Sequence, residues 1–104
     1  MKEAQISREI VKFLRTLGFA VYDTGQGYRK ESGGTRITPG LADLIVIGHG
    51  LFTFVEVKTQ KGKLRPSQEV FRDECIQNGV PWQLWRDVRD AWGWLADNGI
   101  ITEV

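Results

Sequence analysis

Apolar positions along the chain follow helical spacing first and strand spacing afterwards. Residues 3–17 carry apolar side chains at helical intervals, and Gly18 follows as a natural stop. Two later runs, residues 41–47 and Leu51–Val57, are apolar and rich in β-branched residues, which is typical of strands. The pattern predicts an amphipathic helix and then a β-hairpin whose two-residue turn is His49-Gly50.

The remaining elements are indicated by strand patterns and by turn residues. Residues 19–22 predict a short strand, and residues 24–39 predict a glycine-rich loop. After the hairpin, residues 58–65 are predicted to form a polar, basic connection. We then expect a helix opened by Pro66 and Ser67 and ended by Asn78-Gly79, a strand at Trp82–Trp85, a helix capped by Asp87 that stops at Asn98-Gly99, and a tail strand at Ile100-Ile101.

The predicted order is αβββαβα, which is an α/β fold with helices flanking the sheet. A length of 104 residues with 41% hydrophobic content suits one core, so we expect a single domain over residues 1–104. No 18-residue apolar stretch and no signal-peptide pattern occurs, and Cys75 has no second cysteine to pair with. These features favour a cytoplasmic protein that is neither secreted nor membrane-bound.

Positive charge is concentrated in the first part of the chain. The net charge is only +1, but residues 1–65 hold 11 Lys and Arg against 6 Asp and Glu, whereas residues 66–104 hold 3 against 7. A polyanion should therefore contact the first part. If the chain has a phosphate-cleaving centre, these charges would contact a nucleic-acid backbone; the alternative is that they are solvated loop charges. The candidate contacts are Arg29, Lys30, Arg36, Lys61, Lys63 and Arg65.

Two carboxylates stand at matching positions of the predicted hairpin. If Gly48 pairs with Leu51, counting outward places Asp43 opposite Glu56, with Cβ atoms about 4.5–5.5 Å apart. Lys58, two residues further on, projects from the same face. Opposed carboxylates repel each other, so they call for a positive charge, which Mg²⁺ or Mn²⁺ would supply for phosphodiester hydrolysis. A surface ion pair is the alternative for any single pair.

Two further polar residues are predicted to approach this site. On a helical wheel Glu3 falls in the apolar sector of the first helix, which predicts that it points inward, although a solvated first-turn acid is an equal alternative. In the second helix Gln68, Phe71 and Cys75 share one face, so Gln68 is a candidate phosphate or supporting contact. An exposed position at the helix start is the alternative for Gln68.

These residues together resemble the PD-(D/E)XK nuclease superfamily, and within it the small stand-alone VRR-NUC type. The resemblance spans nearly the whole chain and rests on Glu3, Gln68, Gly40-Leu41-Ala42-Asp43-Leu44-Ile45 and Glu56-Val57-Lys58, with 12 residues between Asp43 and Glu56. The family often has proline immediately before the aspartate, whereas this chain has Ala42 there and Pro39 earlier. Because proline mainly shapes the entry to the strand, the departure concerns the loop rather than the chemistry.

The resemblance implies a restriction-endonuclease-like fold with a mixed sheet and a metal-dependent, structure-selective DNA endonuclease of a bacterial or phage-infected cell. The implied metal-binding residues are Asp43, Glu56 and Val57, with Mg²⁺ or Mn²⁺ as the cofactor. Lys58 would assist the attacking water, and Glu3 and Gln68 would complete the catalytic site.

The main alternative is a non-catalytic nucleic-acid-binding or assembly module with the same fold. Neutral residues in place of Asp43, Glu56 or Lys58 would favour it, and all three are intact. A restriction-type enzyme that reads a base sequence is a more distant alternative, since the chain has no recognition insert. The resemblance also implies a homodimer, and Trp94, which falls outside the apolar stripe of the last helix, is a candidate contact. Any helicase or repair partner stays unspecified.

Overall fold

The computed structural model describes residues 1–26 and 38–101. Within these residues the chain has the order αβββαβα, as predicted. The elements are α1 (Glu3–Thr16), β1 (Ala20–Asp23), β2 (Leu44–Gly48), β3 (Leu51–Val57), α2 (Pro66–Gln77), β4 (Trp82–Trp85) and α3 (Val88–Asp97). Candidate contacts Arg29, Lys30 and Arg36 lie outside the described residues. None of the described helices is long and apolar enough to cross a membrane.

The four strands form one mixed sheet in the order β1-β2-β3-β4. β1, β2 and β3 are antiparallel neighbours, and β4 pairs with β3 in parallel. Gly48 pairs with Leu51, and the two turn residues, His49 and Gly50, have φ values of 52° and 77°. Positive φ at both positions is what a two-residue type I′ hairpin turn requires. The predicted hairpin and its register are therefore confirmed.

Strand β2 starts three residues later than the apolar pattern predicts. The prediction was residues 41–47, whereas the strand begins at Leu44 and leaves Asp43 just outside it. The carboxylate of Asp43 accepts the backbone N–H of Val57 at 2.9 Å, and the Thr24 hydroxyl donates to the carbonyl of Ala42 at 2.7 Å. These side chains bind backbone groups that would otherwise form strand-to-strand hydrogen bonds, so the regular pairing of β2 does not extend to Asp43.

Helices α1 and α3 cover one face of the sheet and form the main core with it. Buried residues of this core are Ile6, Ile10, Leu14, Phe19, Val21, Leu44, Val46, Val55, Val57, Trp85, Ala91 and Leu95. Alternate residues of β3 point to the opposite face. There Phe54 meets Phe71 of α2, with ring centroids 5.1 Å apart. Helix α2 therefore lies on the face that also carries Glu56.

Two predictions at the C-terminal end are wrong. Trp94 packs against Phe19 and Trp85, with ring centroids 5.9 and 5.8 Å apart, while Trp92 is 40% exposed and stacks on Phe13. The buried sector of α3 is centred near Ala91 and Leu95, and the long indole of Trp94 reaches the core from its edge. Residues 100–101 form no strand; their side chains pack against the core instead.

Candidate active site

Asp43 and Glu56 meet at one end of the sheet. Leu44 pairs with Val55, so the next step outward places Asp43 across from Glu56, as the sequence predicted. The Asp43 Oδ2 atom is held by the Val57 N–H at 2.9 Å, and the Asp43 and Glu56 side chains share a hydrogen bond. A hydrogen bond between two carboxyl groups needs a proton on one of them. The pair therefore shares negative charge in a confined space.

Glu56 is the carboxyl group on which the electrostatics of the site depend. It is 1% exposed, and its pKa is raised from 4.5 to about 9, chiefly because the carboxyl group is buried. The hydrogen bond and the charge of Asp43 and the charge of Glu3 contribute to this rise, whereas the charge of Lys58 opposes it. Without a further positive charge nearby, Glu56 thus keeps its proton at neutral pH.

Lys58 follows β3 directly and is positioned by the neighbouring parallel strand. Its backbone N–H donates to the carbonyl of Trp85 in β4 at 3.1 Å. The residue is 7% exposed, which is unusual for lysine, and its charge lowers the pKa of Glu56. The sheet thus holds a buried ammonium group beside two carboxylates.

Gln68 connects helix α2 to the buried carboxyl group. Its Oε1 accepts the backbone N–H of Arg65 at 2.8 Å, while its Nε2 donates to Glu56 Oε2 at 3.1 Å. The suggestion that Ser67 caps this helix is wrong, because Arg65 is the N-cap residue and Gln68 occupies the third helical position. This capping contact fixes the amide so that its NH₂ group faces Glu56.

The other predicted site residues lie around this cluster. Glu3 is exposed at the start of α1, and it is near enough to the site for its charge to raise the pKa of Glu56. Lys61 and Lys63 are exposed and Arg65 is half-buried in the connection between β3 and α2. Positive charge therefore lies beside the carboxylates on the following loop.

The site offers two carboxyl groups as potential metal donors rather than a dense cluster of acidic side chains. Within the described residues, no group of three or more His, Cys, Asp or Glu is placed to hold a metal ion. Asp43 and Glu56 offer carboxylate oxygens, and Val57 can offer only its backbone carbonyl. Mg²⁺ commonly binds through one or two carboxylates, waters and substrate phosphates. The residues present fit such an ion. A bound cation would also offset the burial and the neighbouring charge that raise the pKa of Glu56.

Arg86 is a residue that the sequence reasoning missed. Its Nη1 atom donates to the carbonyl oxygens of Thr59, Gln60 and Gly62 at 2.6, 3.2 and 2.7 Å. These carbonyls belong to the loop that follows Lys58 and carries Lys61. A lone arginine after a strand has no distinguishing spacing, so only the folded loop reveals this contact. One side chain thus holds the loop against the end of β4.

We expect Arg86→Ala to loosen this loop. Three carbonyl groups would lose a charged donor, at a cost of about 1–3 kcal/mol in the free energy of unfolding. Trypsin should then cut after Lys61 and Lys63 several-fold faster than in the wild type, as followed by mass spectrometry under native conditions. Arg89→Ala, which removes an exposed neighbouring arginine, is the control. Equal cutting rates in all three proteins would contradict the role of Arg86.

Fold and site together define a class of protein. An αβββαβα chain with a mixed sheet, in which paired carboxylates and a lysine lie at the ends of the central strands, has a restriction-endonuclease-like fold. Within that class the chain has the fold of a VRR-NUC domain. It is similar to a solved structure described as "VRR_NUC domain", with a TM-score of 0.70 and 20% identity, over 91% of this chain and 94% of that chain. No protein-family model and no curated protein matches the sequence.

Proposed function

We propose that the chain is a metal-dependent, structure-selective DNA endonuclease that hydrolyses phosphodiester bonds in branched, flapped or junction DNA. The observation that carries this proposal is the buried Glu56, hydrogen-bonded to Asp43 and faced by Lys58 and Gln68. Burying a carboxyl group beside another carboxylate costs stability, and such an arrangement is typical of a site that binds a cation or a substrate. The VRR-NUC fold supports the same proposal.

Mg²⁺ or Mn²⁺ held by Asp43, Glu56 and the Val57 carbonyl would acidify water and neutralise charge on the phosphate. Glu56 must release its proton for this binding, so metal affinity rises with pH. The Val57 N–H fixes Asp43, and the amide of Gln68 fixes one oxygen of Glu56. Lys58 supplies an ammonium group where negative charge grows during attack on the phosphate.

A panel of labelled linear, flapped and four-way DNA, incubated with Mg²⁺, Mn²⁺ or EDTA, tests the function. We expect cleavage of flapped or four-way DNA with either metal and none in EDTA. Asp43→Asn protein, purified in the same way, excludes a contaminating nuclease. Equal cleavage of every shape would contradict structure selectivity, and cleavage in excess EDTA would contradict metal dependence.

The alternative is a nucleic-acid-binding or assembly module without catalytic activity. It predicts DNA binding in the same panel with no product under any metal. Cutting of linear DNA at one fixed sequence would instead support a restriction-type enzyme. The three residues Asp43, Glu56 and Lys58 lie in one cluster in which Glu56 and Lys58 are buried, and this favours the catalytic proposal over both alternatives.

We further propose that the chain acts as a homodimer. Trp94 does not support this, because it packs into the core, but the sheet face opposite α1 exposes Tyr22, Ile47 and Phe52 at 58%, 45% and 37%. Ile47 and Phe52 are direct cross-strand partners, so they form one apolar surface that a second copy would cover. Sedimentation equilibrium should give twice 11.8 kDa; the monomer mass at all micromolar concentrations would exclude the dimer.

A further inference from the structure

A surface groove of about 740 Å³ runs along helix α1 beside β1. Three cationic side chains line it, those of Arg8, Lys12 and Arg15, together with the hydroxyl groups of Ser7 and Thr16. Among the described residues that line the groove, the one carboxylate is that of Asp23. The groove is therefore positively charged, and the site residues predicted from the sequence do not include any of these cations.

The three cations form a stripe on one side of the helix. At about 100° per residue, Arg8, Lys12 and Arg15 fall within a sector of about 60°, away from the buried Ile10. Arg15 is tied to β1, since its Nη2 donates to the Val21 carbonyl at 2.8 Å. The side chains of Arg8 and Lys12 are exposed, and neither forms a hydrogen bond or ion pair with any residue in ranges 1–26 and 38–101. Two cations are thus available to an anionic partner.

One end of the groove lies near the start of β2, which Asp43 directly precedes. Asp23, which lines the groove, pairs with Leu44, and the N–H of the next residue, Thr24, donates to the Asp43 carbonyl at 2.9 Å. Along the helix axis Arg8 and Arg15 are about 10 Å apart. The stripe therefore lies beside β1, on the way to the strand end near Asp43, and has the length of a short backbone contact.

We propose that the α1 groove binds the phosphate backbone of the DNA outside the scissile phosphate, through Arg8 and Lys12. The inference rests on the proposed function, which makes DNA the substrate. The contact is independent of base sequence, because long cationic side chains on an open groove neutralise phosphates and read no base edges. Its position on α1 separates it from Lys61 and Lys63, which follow the catalytic lysine.

The double variant Arg8→Ala/Lys12→Ala tests the groove. Binding of a labelled four-way DNA is measured in EDTA, where no cleavage is expected, by fluorescence anisotropy between 50 and 200 mM salt. The control, Arg72→Ala/Arg89→Ala, also removes two helix arginines, each of which pairs with an aspartate in the described structure. Circular dichroism of both variants checks that the fold is intact.

Loss of two phosphate contacts should reduce the slope of log K against log[salt] by about 1.8, which equals about a tenfold change in affinity between 50 and 200 mM salt. The control should keep the wild-type slope. An unchanged slope in Arg8→Ala/Lys12→Ala, or an equal change in the control, overturns the groove proposal while wild-type cleavage stands. Conversely, if the wild type never cleaves DNA but the slope falls in Arg8→Ala/Lys12→Ala, the groove proposal is supported and the proposed nuclease activity is overturned.

Discussion

Glu56→Gln and Asp43→Asn are each expected to reduce DNA cleavage at least about 10³-fold, because each removes a carboxylate that would hold the metal ion. The fold should survive both changes. The amide of Gln is isosteric with the carboxyl group of Glu, and it does not have to take up a proton when the chain folds. Single-turnover cleavage of flapped DNA in Mg²⁺ measures the first effect, and near-wild-type cleavage by either variant would contradict the metal site.

Glu56→Gln should also stabilise the protein in EDTA, increasingly so at higher pH. The pKa of Glu56 is raised in the folded chain from 4.5 to about 9, so between these values the folded state holds a proton that the unfolded state lacks. Stability from this group is fully present below about pH 4.5 and is lost as pH rises towards 9. Glutamine does not titrate, so its advantage should grow with pH.

Thermal unfolding at pH 5 and pH 8 in EDTA measures this difference. The melting temperature of Glu56→Gln should exceed that of the wild type by more at pH 8 than at pH 5. Glu74→Gln, at an exposed position of α2, is the matched control and should show no such trend. If Glu56→Gln follows the wild type at both pH values, Glu56 does not carry a raised pKa.

Lys58→Ala is expected to lower the turnover rate about 10²–10³-fold while changing DNA affinity no more than a few-fold. A single buried ammonium beside the phosphate stabilises charge that grows in the transition state, whereas binding depends on many exposed cations. Because Lys58 lowers the pKa of Glu56, its loss should also shift the rise of activity with pH to higher pH. Rate and Kd are measured separately across pH 6–10.

Lys61→Ala is the control for this experiment, because the opposite effects on binding and rate are expected from it. Lys61 is exposed on the loop after Lys58, so its loss should weaken binding and leave the rate of the bound complex unchanged. Lys58→Arg keeps the charge but not the compact geometry, and intermediate activity is expected from it. An equal loss of affinity and rate in Lys58→Ala would make Lys58 an ordinary phosphate contact.

The sequence predicted the carboxylate pair because a hairpin register follows from its turn. A two-residue turn at His49-Gly50 is a local signal, and strand pairing then carries it outward to Asp43 and Glu56 without further information. The face of α2 was predictable for a similar reason, since Gln68 and Phe71 both reach the sheet. Local periodicity therefore placed most of the candidate site.

Features that depend on contacts between distant segments were not predictable in the same way. Strand β2 starts late because Thr24, nearly 20 residues earlier, takes the Ala42 carbonyl. The burial of Trp94 depends on the direction in which α3 crosses Phe19 and Trp85. Arg86 donates to backbone carbonyl groups, and because every residue has one, the sequence does not indicate which carbonyls it binds. Each depends on how elements pack, which an apolar pattern does not specify.

Gly40 links the two halves of the candidate site. It has a φ of 87°, and a Cβ at this position would collide with the carbonyl group of Ser67, in the first turn of α2. The backbone approaching Asp43 and the helix that carries Gln68 therefore touch without an intervening side chain. In a mutational library selected only for folding, position 40 should accept glycine alone, whereas Ala42 has no such backbone restriction. For finding distant relatives, a Gly-x-x-Asp signature should thus be more informative than one that demands proline before the aspartate.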